Sequence, residues 1–234
     1  NQDLQGVMAA VAQVGYDAAE IGANFVDDLG VSAVRACIDA TGLPVCGIHG
    51  GYGNYADPAW LDRAIDFCRG IDCGYLICSS VADRGSLQGY LEAAELFNAV
   101  GARVRDAGLT FCYHNHAWEF EEFDGQKGIH ALAAATDPEL VKLNVDVYWV
   151  TIGGEQPAEF IARYHDRVGY YHFKDGGPGP TFTELGRGSV DLVAAREAAM
   201  KYDPEWIVCE QDRSELAPEE SIAISLAYLR QIGF

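Results

Sequence analysis

Basic residues are scarce in this chain of 234 residues, which carries 16 Lys and Arg against 35 Asp and Glu and has a formal net charge of -19. Because such an acidic surface repels phosphate backbones, we do not expect the protein to bind nucleic acid. The sequence also lacks an apolar run approaching the roughly 20 residues that cross a bilayer, and no basic-then-apolar signal peptide opens it. We therefore expect a soluble, cytoplasmic protein without a membrane partner.

Paired cysteine spacing of the kind that binds zinc is missing as well. The seven cysteines are an odd number, and most lie inside apolar runs. This favours buried, reduced thiols. The alternative, a reactive thiol, needs an electropositive and exposed setting that this acidic chain does not offer.

Short apolar segments alternate with longer segments of helical spacing along the whole chain. The seven strands predicted from this pattern cover residues 18–21, 43–49, 75–79, 109–114, 141–146, 169–174 and 206–210. Helices are predicted between them, for example from Leu87 to Ala107, and a last helix follows from Pro218 to Arg230. Such alternation is typical of a parallel sheet with helices outside it.

A closed barrel of this kind needs eight strands, and seven are predicted. Because the chain begins at Asn1 directly with a helical pattern, we expect a (β/α)8 barrel that lacks its first strand. The exposed sheet edge would favour association into a homo-oligomer. No linker divides the chain, so residues 1–234 should form a single domain. The Gly- and Pro-rich segment 176–180 follows a strand, as active-site loops do.

Side chains that bind metals or transfer protons stand at the ends of several predicted strands. In a parallel barrel the loops after the strands share one face, so these residues should meet. They are Glu20, His49, His114, His116, Glu119, Asp146, His172, Lys174 and Glu210. Carboxylates and imidazoles suit one divalent ion such as Mn²⁺, Mg²⁺, Co²⁺ or Zn²⁺, which can polarise a carbonyl and hold an enediolate. One acid alone could be a cap or an ion-pair partner, but several coincident placements favour a site.

Other residues give weaker indications of contacts with a substrate. The aromatic side chains Trp118, Tyr148 and Trp149 could stack on a sugar ring or pack the rim. His49 precedes two glycines and either lines the pocket or turns the chain. Arg187 lies in a Gly-Arg-Gly turn after the predicted strand 169–174, where barrels often bind phosphate. His130 and His165 lack strand-end positions, and we expect both to be structural.

Five motifs, in their order and spacing, carry a family resemblance. They are Tyr-His-Asn-His-Ala-Trp-Glu-Phe at 113–120, Asp-Val-Tyr-Trp at 146–149, His-Phe-Lys-Asp at 172–175, Glu-Leu-Gly-Arg-Gly at 184–188 and Cys-Glu-Gln-Asp at 209–212. Together they resemble the xylose isomerase-like TIM-barrel superfamily, and more closely its sugar phosphate isomerase/epimerase branch. The resemblance covers the chain from its first helix to its end and implies an eight-stranded barrel.

The resemblance also implies a metal site built from a Glu, Asp, His, Glu set. Asp146, His172 and Glu210 match the last three members. At the first position this chain has His114, so either Glu119 reaches back to the ion or His114 replaces the carboxylate, and we favour Glu119 because it restores the usual donors. His114, His116 and Lys174 are candidate bases. We expect His49, Trp118, Trp149 and Arg187 to contact the substrate.

The leading hypothesis is a metal-dependent isomerase or epimerase that acts on a small-molecule sugar or keto sugar by proton abstraction next to a carbonyl. A dehydratase of an inosose or keto sugar shares the first proton abstraction and is the near alternative. A third hypothesis, a sugar-binding barrel without catalysis, is disfavoured by the intact Asp, His and Glu set. The -19 charge disfavours the nuclease branch.

Overall fold

The structure, a computed structural model, describes residues 3–179 and 181–234. Asn1 and Pro180, which two of the predictions concern, are outside the described residues. One parallel sheet contains seven strands in sequential order. They are β1 (Ala19–Gly22), β2 (Val45–Gly50), β3 (Tyr75–Cys78), β4 (Thr110–His114), β5 (Lys142–Asp146), β6 (Val168–Phe173) and β7 (Ile207–Cys209). The prediction of a parallel barrel sheet with seven strands is confirmed.

Helices surround this sheet. They are α1 (Leu4–Val14), α2 (Asn24–Asp28), α3 (Gly30–Thr41), α4 (Tyr52–Tyr55), α5 (Pro58–Ile71), α6 (Leu87–Asp106), α7 (Gly128–Ala135), α8 (Val147–Ile152), α9 (Pro157–Tyr164), α10 (Leu192–Ala199) and α11 (Pro218–Gln231). Short 3₁₀ segments cover Trp118–Phe120, His165–Arg167 and Met200–Tyr202. No helix in the described part of the chain is long and apolar enough to cross a membrane.

Local chemistry explains where the principal helices begin and end. Helix α5 begins where the Asp57 side chain accepts a hydrogen bond from the Ala59 amide, with Pro58 at the first helical position. Ser86 caps α6 in the same way, because its hydroxyl accepts from the Gly89 amide at 3.1 Å. These caps give partners to backbone amides that the first turn of each helix leaves without intrahelical hydrogen bonds.

The barrel interior is layered. Tyr75, Ile77, Cys112 and Tyr170 form a buried cluster separate from the larger core between sheet and helices. Since β3 and β6 are not neighbours in the sheet, the Tyr75–Tyr170 ring contact at 5.0 Å lies across the interior. Side chains two apart on a strand share a face, so His172 stands one layer above Tyr170. The cluster of Tyr75, Ile77, Cys112 and Tyr170 therefore lies directly below the polar layer that contains His172.

The sheet curls nearly into a closed barrel. Glu20 on β1 reaches His172 on β6, with 2.9 Å between Oε2 and Nε2. Beside the edge strands, the Tyr16 hydroxyl just after α1 donates to the Ile222 carbonyl in α11 at 2.9 Å. The first and last helices thus pack together next to β1 and β7.

The loop after β6 is more ordered than a sequence rich in Gly and Pro indicates. Asp175–Gly177 pairs antiparallel with Thr181–Thr183 to form a two-stranded ribbon. A second small ribbon joins Glu122–Phe123 to Gln126–Lys127. The seven cysteines, all within the described residues, are free thiols, and all except the half-buried Cys209 are buried.

Candidate metal centre and active site

Four potential metal ligands from four successive barrel strands meet at the carboxyl ends of those strands. His114, Asp146, His172 and Glu210 each offer one donor atom, and these atoms all lie within 4.8 Å of one another. The first three side chains are buried, and Glu210 is half-buried. The structure thus brings together the predicted Asp, His and Glu ligands, with His114 beside them.

The His114 ring is fixed with one nitrogen directed into this group. Its Nδ1 lies 2.8 Å from Oδ1 of Asn144, which stands opposite it on β5. The Asn144 amide nitrogen donates to the Tyr170 carbonyl at 3.4 Å, so its oxygen accepts from His114. The opposite atom, Nε2, is buried without a hydrogen-bond partner. Burial, together with nearby His172, lowers the pKa of His114 well below its ordinary value, so Nε2 carries a lone pair suited to a metal.

Asp146 presents a second buried atom without a partner. Its Oδ1 caps α8 by accepting from the Trp149 amide at 2.9 Å, whereas Oδ2 makes no hydrogen bond and lies 4.0 Å from His114 Nε2. Burial raises the pKa of Asp146 to about 6, although the Lys174 ammonium at 3.4 Å opposes the rise. The Lys174 ammonium is thus an ion-pair partner of Oδ2, but neither Oδ2 nor His114 Nε2 makes a hydrogen bond, and a buried carboxylate oxygen and imidazole nitrogen in this state fit a metal ion between them.

His172 bridges two carboxylates. Its Nε2 lies 2.9 Å from Glu20 Oε2 and its Nδ1 lies 2.7 Å from Glu210 Oε2. Burial lowers the pKa of His172, but Glu20 and Glu210 outweigh that effect and raise it to about 10. Burial by itself would raise the pKa of Glu210, yet its contacts with His172 and Lys174 hold that pKa well below its ordinary value.

Lys174 is a buried cation among three acids. Its Nζ lies 3.1 Å from Glu210 Oε1, 3.2 Å from Asp212 Oδ1 and 3.4 Å from Asp146 Oδ2. Burial lowers the pKa of Lys174, but these carboxylates reverse the effect and raise it above its ordinary value. Lys174 is therefore held in its protonated form, and these carboxylates make its proton harder to remove.

Glu119, the predicted fourth ligand, lies outside the four-donor group. It is fully buried in the 3₁₀ segment, where one oxygen accepts from the Tyr113 hydroxyl at 2.7 Å. Its other oxygen accepts from the His116 amide at 2.8 Å. Both oxygens therefore stabilise the loop that follows β4, and the structure brings His114 to the other donors.

His116 lines a pocket beside the donor group. Its ring centre lies 4.9 Å from that of His114, and its Nδ1 has no hydrogen-bond partner. The pocket has a volume of about 460 Å³. Its lining residues are Ser79, Ser80, Val81, Ala82, Arg84, His116 and Trp118. Space for a monosaccharide therefore adjoins the imidazole.

The three aromatic residues singled out from the sequence, Trp118, Trp149 and Tyr148, lie in different surroundings. Trp118 stacks on His116 with 3.9 Å between ring centres, and the Arg84 guanidinium lies 5.1 Å from the Trp118 ring centre. Trp149 lies next to the donor group, where the Lys174 ammonium is 5.2 Å from its ring centre. The Tyr148 hydroxyl donates to the Gly179 carbonyl at 2.6 Å and so anchors the ribbon loop.

Arg187 is paired with an acid of its own turn, Glu184. Nη1 of Arg187 lies 3.1 Å from Glu184 Oε2. Burial alone would raise the pKa of Glu184, but hydrogen bonds, including those from Ser221 and Ser214, lower it to about 2. Arg187 is half-exposed and paired with this carboxylate, so phosphate binding there stays a prediction.

Sequence reasoning placed Glu20 in the barrel mouth without a specific role and gave no role to two other residues that shape the site, Tyr170 and Asn144. Glu20 contacts both His49 and His172, Tyr170 donates to Glu20, and Asn144 orients His114. The available signal was position, since each of the three lies on a barrel strand and points inward. His49, a predicted substrate contact, joins the group with its ring centre 4.9 Å from that of His114.

His130 and His165 lie outside the site. His130 Nε2 is 2.9 Å from Glu155 and its Nδ1 is 2.7 Å from the Tyr164 hydroxyl. His165 stacks on Tyr202 with 4.5 Å between ring centres. Both therefore belong to the outer helical layer.

Comparisons with known proteins agree with this architecture. The chain is 30% identical over 152 residues to an inosose dehydratase of Lacticaseibacillus casei, a match covering 56% of this chain and 50% of the relative. The chain thus spans about half the length of the curated relatives it matches. A sugar phosphate isomerase/epimerase from Parabacteroides distasonis superposes with a TM-score of 0.85 at 21% identity, covering 98% of this chain and 88% of that one.

The zinc-bound IOLI protein is also similar, with a TM-score of 0.75 and 14% identity over 99% of this chain and 92% of that chain. At these identities the two solved structures support the fold. The profile of the family described as xylose isomerase-like TIM barrel matches residues 8–232, which is nearly the whole chain. The chain therefore belongs to the xylose isomerase-like TIM barrel family.

Proposed function

We propose that this chain is a divalent-metal-dependent sugar isomerase or epimerase that moves a proton at a carbon next to a carbonyl. The observation that carries the proposal is the pair of buried atoms without hydrogen-bond partners, His114 Nε2 and Asp146 Oδ2, within the four-donor group. Buried polar atoms are nearly always satisfied, so two exceptions at one point favour a bound ligand.

His114, Asp146, His172 and Glu210 would hold the ion. His114 replaces Glu119 in this set, because both oxygens of Glu119 already accept hydrogen bonds elsewhere. Two imidazoles and two carboxylates suit Zn²⁺, Mn²⁺ or Co²⁺ better than Mg²⁺, which prefers oxygen ligands. When bound, the ion supplies Lewis-acid polarisation of the substrate carbonyl.

His116 is the residue we propose as the base. Its ring lines the pocket, and its Nδ1 makes no hydrogen bond and lies 3.9 Å from Glu119 Oε1. The other two candidates are less able to accept a proton from the substrate. His114 contacts Asn144 through one ring nitrogen and directs the other into the donor group. Lys174 is surrounded by carboxylates that keep it protonated. Lys174, which these carboxylates keep protonated, would supply the proton that completes the reaction.

A dehydratase is the second candidate, favoured by the similarity to inosose dehydratases. The first proton abstraction is shared, and the outcomes differ in where the second proton goes. Lys174 would return a proton to carbon or oxygen in an isomerase or epimerase. In a dehydratase it would protonate a departing hydroxyl group, so that water leaves.

Product analysis by NMR in deuterated water, against a panel of ketoses, inososes and 3-keto sugars, tests the proposal. We expect solvent deuterium in the product without loss of water, and loss of water would assign the dehydratase. The His116→Ala variant is the matched control, with kcat lower by about 10²–10⁴-fold while the metal stays bound. Turnover of no substrate by a metal-loaded chain would contradict both functions and favour a sugar-binding role.

A further inference from the structure

Glu20 on β1 contacts two of the histidines in the mouth of the barrel. Its Oε1 lies 2.7 Å from Nδ1 of His49, and its Oε2 lies 2.9 Å from Nε2 of His172. The Tyr170 hydroxyl donates to the same Oε2. Side chains from two other strands, β2 and β6, thus converge on one carboxylate that is only 9% exposed.

These contacts determine which ring nitrogens carry protons. An ionised carboxylate accepts hydrogen bonds and donates none, so both imidazoles must donate to Glu20. His49 then carries its proton on Nδ1, and its Nε2 makes no hydrogen bond within the described residues. His172 donates from Nε2 to Glu20, and its Nδ1, 2.7 Å from Glu210 Oε2, faces a carboxylate as well. An ion bound at the donor group would take the place of the Nδ1 proton, while the contact with Glu20 would keep the proton on Nε2.

The neighbouring strand leaves room for this arrangement. Gly47 is paired with Glu20 in the sheet register. A Cβ at Gly47 would lie 2.5 Å from the Tyr170 hydroxyl oxygen and 3.3 Å from Glu20 Oε2. Any larger residue at position 47 would therefore clash with the Tyr170 hydroxyl and crowd the Glu20 carboxylate.

We infer that Glu20 is a positioning residue that sets the ring orientation and the tautomer of both His172 and His49. Through His172 it directs Nδ1 to the metal, as carboxylates behind metal-bound histidines do. Through His49 it presents Nε2 as an acceptor for a sugar hydroxyl. The inference rests on the proposed function for the roles of the metal and the sugar, but the geometry of Glu20 itself does not depend on them.

The test compares Glu20→Gln with Tyr170→Phe. Gln keeps the size of Glu but offers one oxygen and one NH₂ group, so it can accept from only one of the two imidazoles. We expect the affinity for Mn²⁺ or Co²⁺, titrated alone, to fall by about 10–100-fold. We also expect ¹⁵N shifts of the ring nitrogens to show that at least one histidine has changed its tautomer. Tyr170→Phe removes a donor from the same oxygen and should change neither result.

The metal and nitrogen measurements separate this inference from the proposed function, because neither needs a sugar substrate. Unchanged tautomers and metal affinity in a folded Glu20→Gln protein would overturn the inference even if the parent isomerises a sugar. A parent that turns over no sugar would leave the inference standing, provided that the nitrogen shifts change as expected. If Glu20→Gln does not fold, Glu20→Asp repeats the test, since its shorter side chain cannot reach both rings.

Discussion

Asp146 and Asp175 are two buried carboxylates at the ends of neighbouring barrel strands, yet their surroundings differ completely. Both oxygens of Asp175 are filled by backbone amides, with those of Gly176 and Val190 on Oδ1 and those of Gly186 and Gly188 on Oδ2. These four hydrogen bonds fold the chain after β6 back onto itself.

In Asp146 one oxygen caps a helix, and the other has no hydrogen-bond partner although it is buried. The comparison shows how a buried acid that supports the fold differs from one that is arranged for a ligand. The first has every acceptor position filled by the chain. The second keeps an oxygen that makes no hydrogen bond and lies among other donor atoms, with the Lys174 ammonium at 3.4 Å as its ion-pair partner. A buried acceptor without a hydrogen bond costs stability, which a bound metal ion would offset.

Asp146→Asn should give the largest functional effect. Asn keeps the helix cap and the shape but loses the negative ligand, so we expect metal content to fall and activity to drop by at least about 100-fold. Elemental analysis and kcat check this. The matched control is Asp212→Asn, which also removes a carboxylate next to Lys174 but lies outside the donor group. Equal metal content in Asp146→Asn and the parent would remove Asp146 from the site.

Asp175→Asn should show the opposite pattern. The new NH₂ group would face two backbone N–H donors, so we expect the free energy of unfolding to fall by about 2–4 kcal/mol, with metal binding retained by the protein that stays folded. Urea denaturation measures this change. Asp191→Asn is the control, because Asp191 caps α10 and Asn caps equally well. If Asp175→Asn were as stable as the parent, the amide contacts of Asp175 would not stabilise the fold, and the proposed difference between Asp175 and Asp146 would be wrong.

The strand order of the barrel and the strand-end positions of Asp146, His172 and Glu210 were readable from the sequence. Apolar segments that turn polar mark the carboxyl ends of parallel strands, and those ends meet on one face of the sheet. Strand boundaries were accurate to within about two residues for the same reason.

The strand pattern alone does not separate Asp175 from Asp146, because both follow an apolar strand, and only the family resemblance assigned Asp146 to the metal site. What differs is the path of the returning chain at 186–190, a tertiary property. The preference for Glu119 over His114 arose in the same way. Nothing in the order of residues shows that the Tyr113 hydroxyl and a backbone amide hold Glu119, or that Asn144 on the next strand orients His114.

Glu155 lies far from the barrel mouth and is a partly exposed acid with ion-pair partners. Its replacement should give the smallest effect of the substitutions discussed. It lies 2.7 Å from Lys127 Nζ and 2.9 Å from His130 Nε2, and its side chain is 23% exposed. Burial tends to raise its pKa, but Lys127 and His130 outweigh this and lower the pKa below the ordinary value of 4.5. We expect Glu155→Gln to lower the free energy of unfolding by about 0.5–1 kcal/mol at neutral pH.

The pH dependence follows from the direction of that shift. The folded state binds the Glu155 proton less readily than the unfolded state, so the stabilisation is present above pH 4.5 and is lost as the pH falls through the folded pKa. The difference in stability between parent and Glu155→Gln should therefore shrink as the pH is lowered below 4.5 in urea titrations. Glu159→Gln, on the next helix and without an ion pair among the described residues, is the control and should match the parent throughout. A difference that grows on acidification would show that the contact of Glu155 with its two bases does not stabilise the fold.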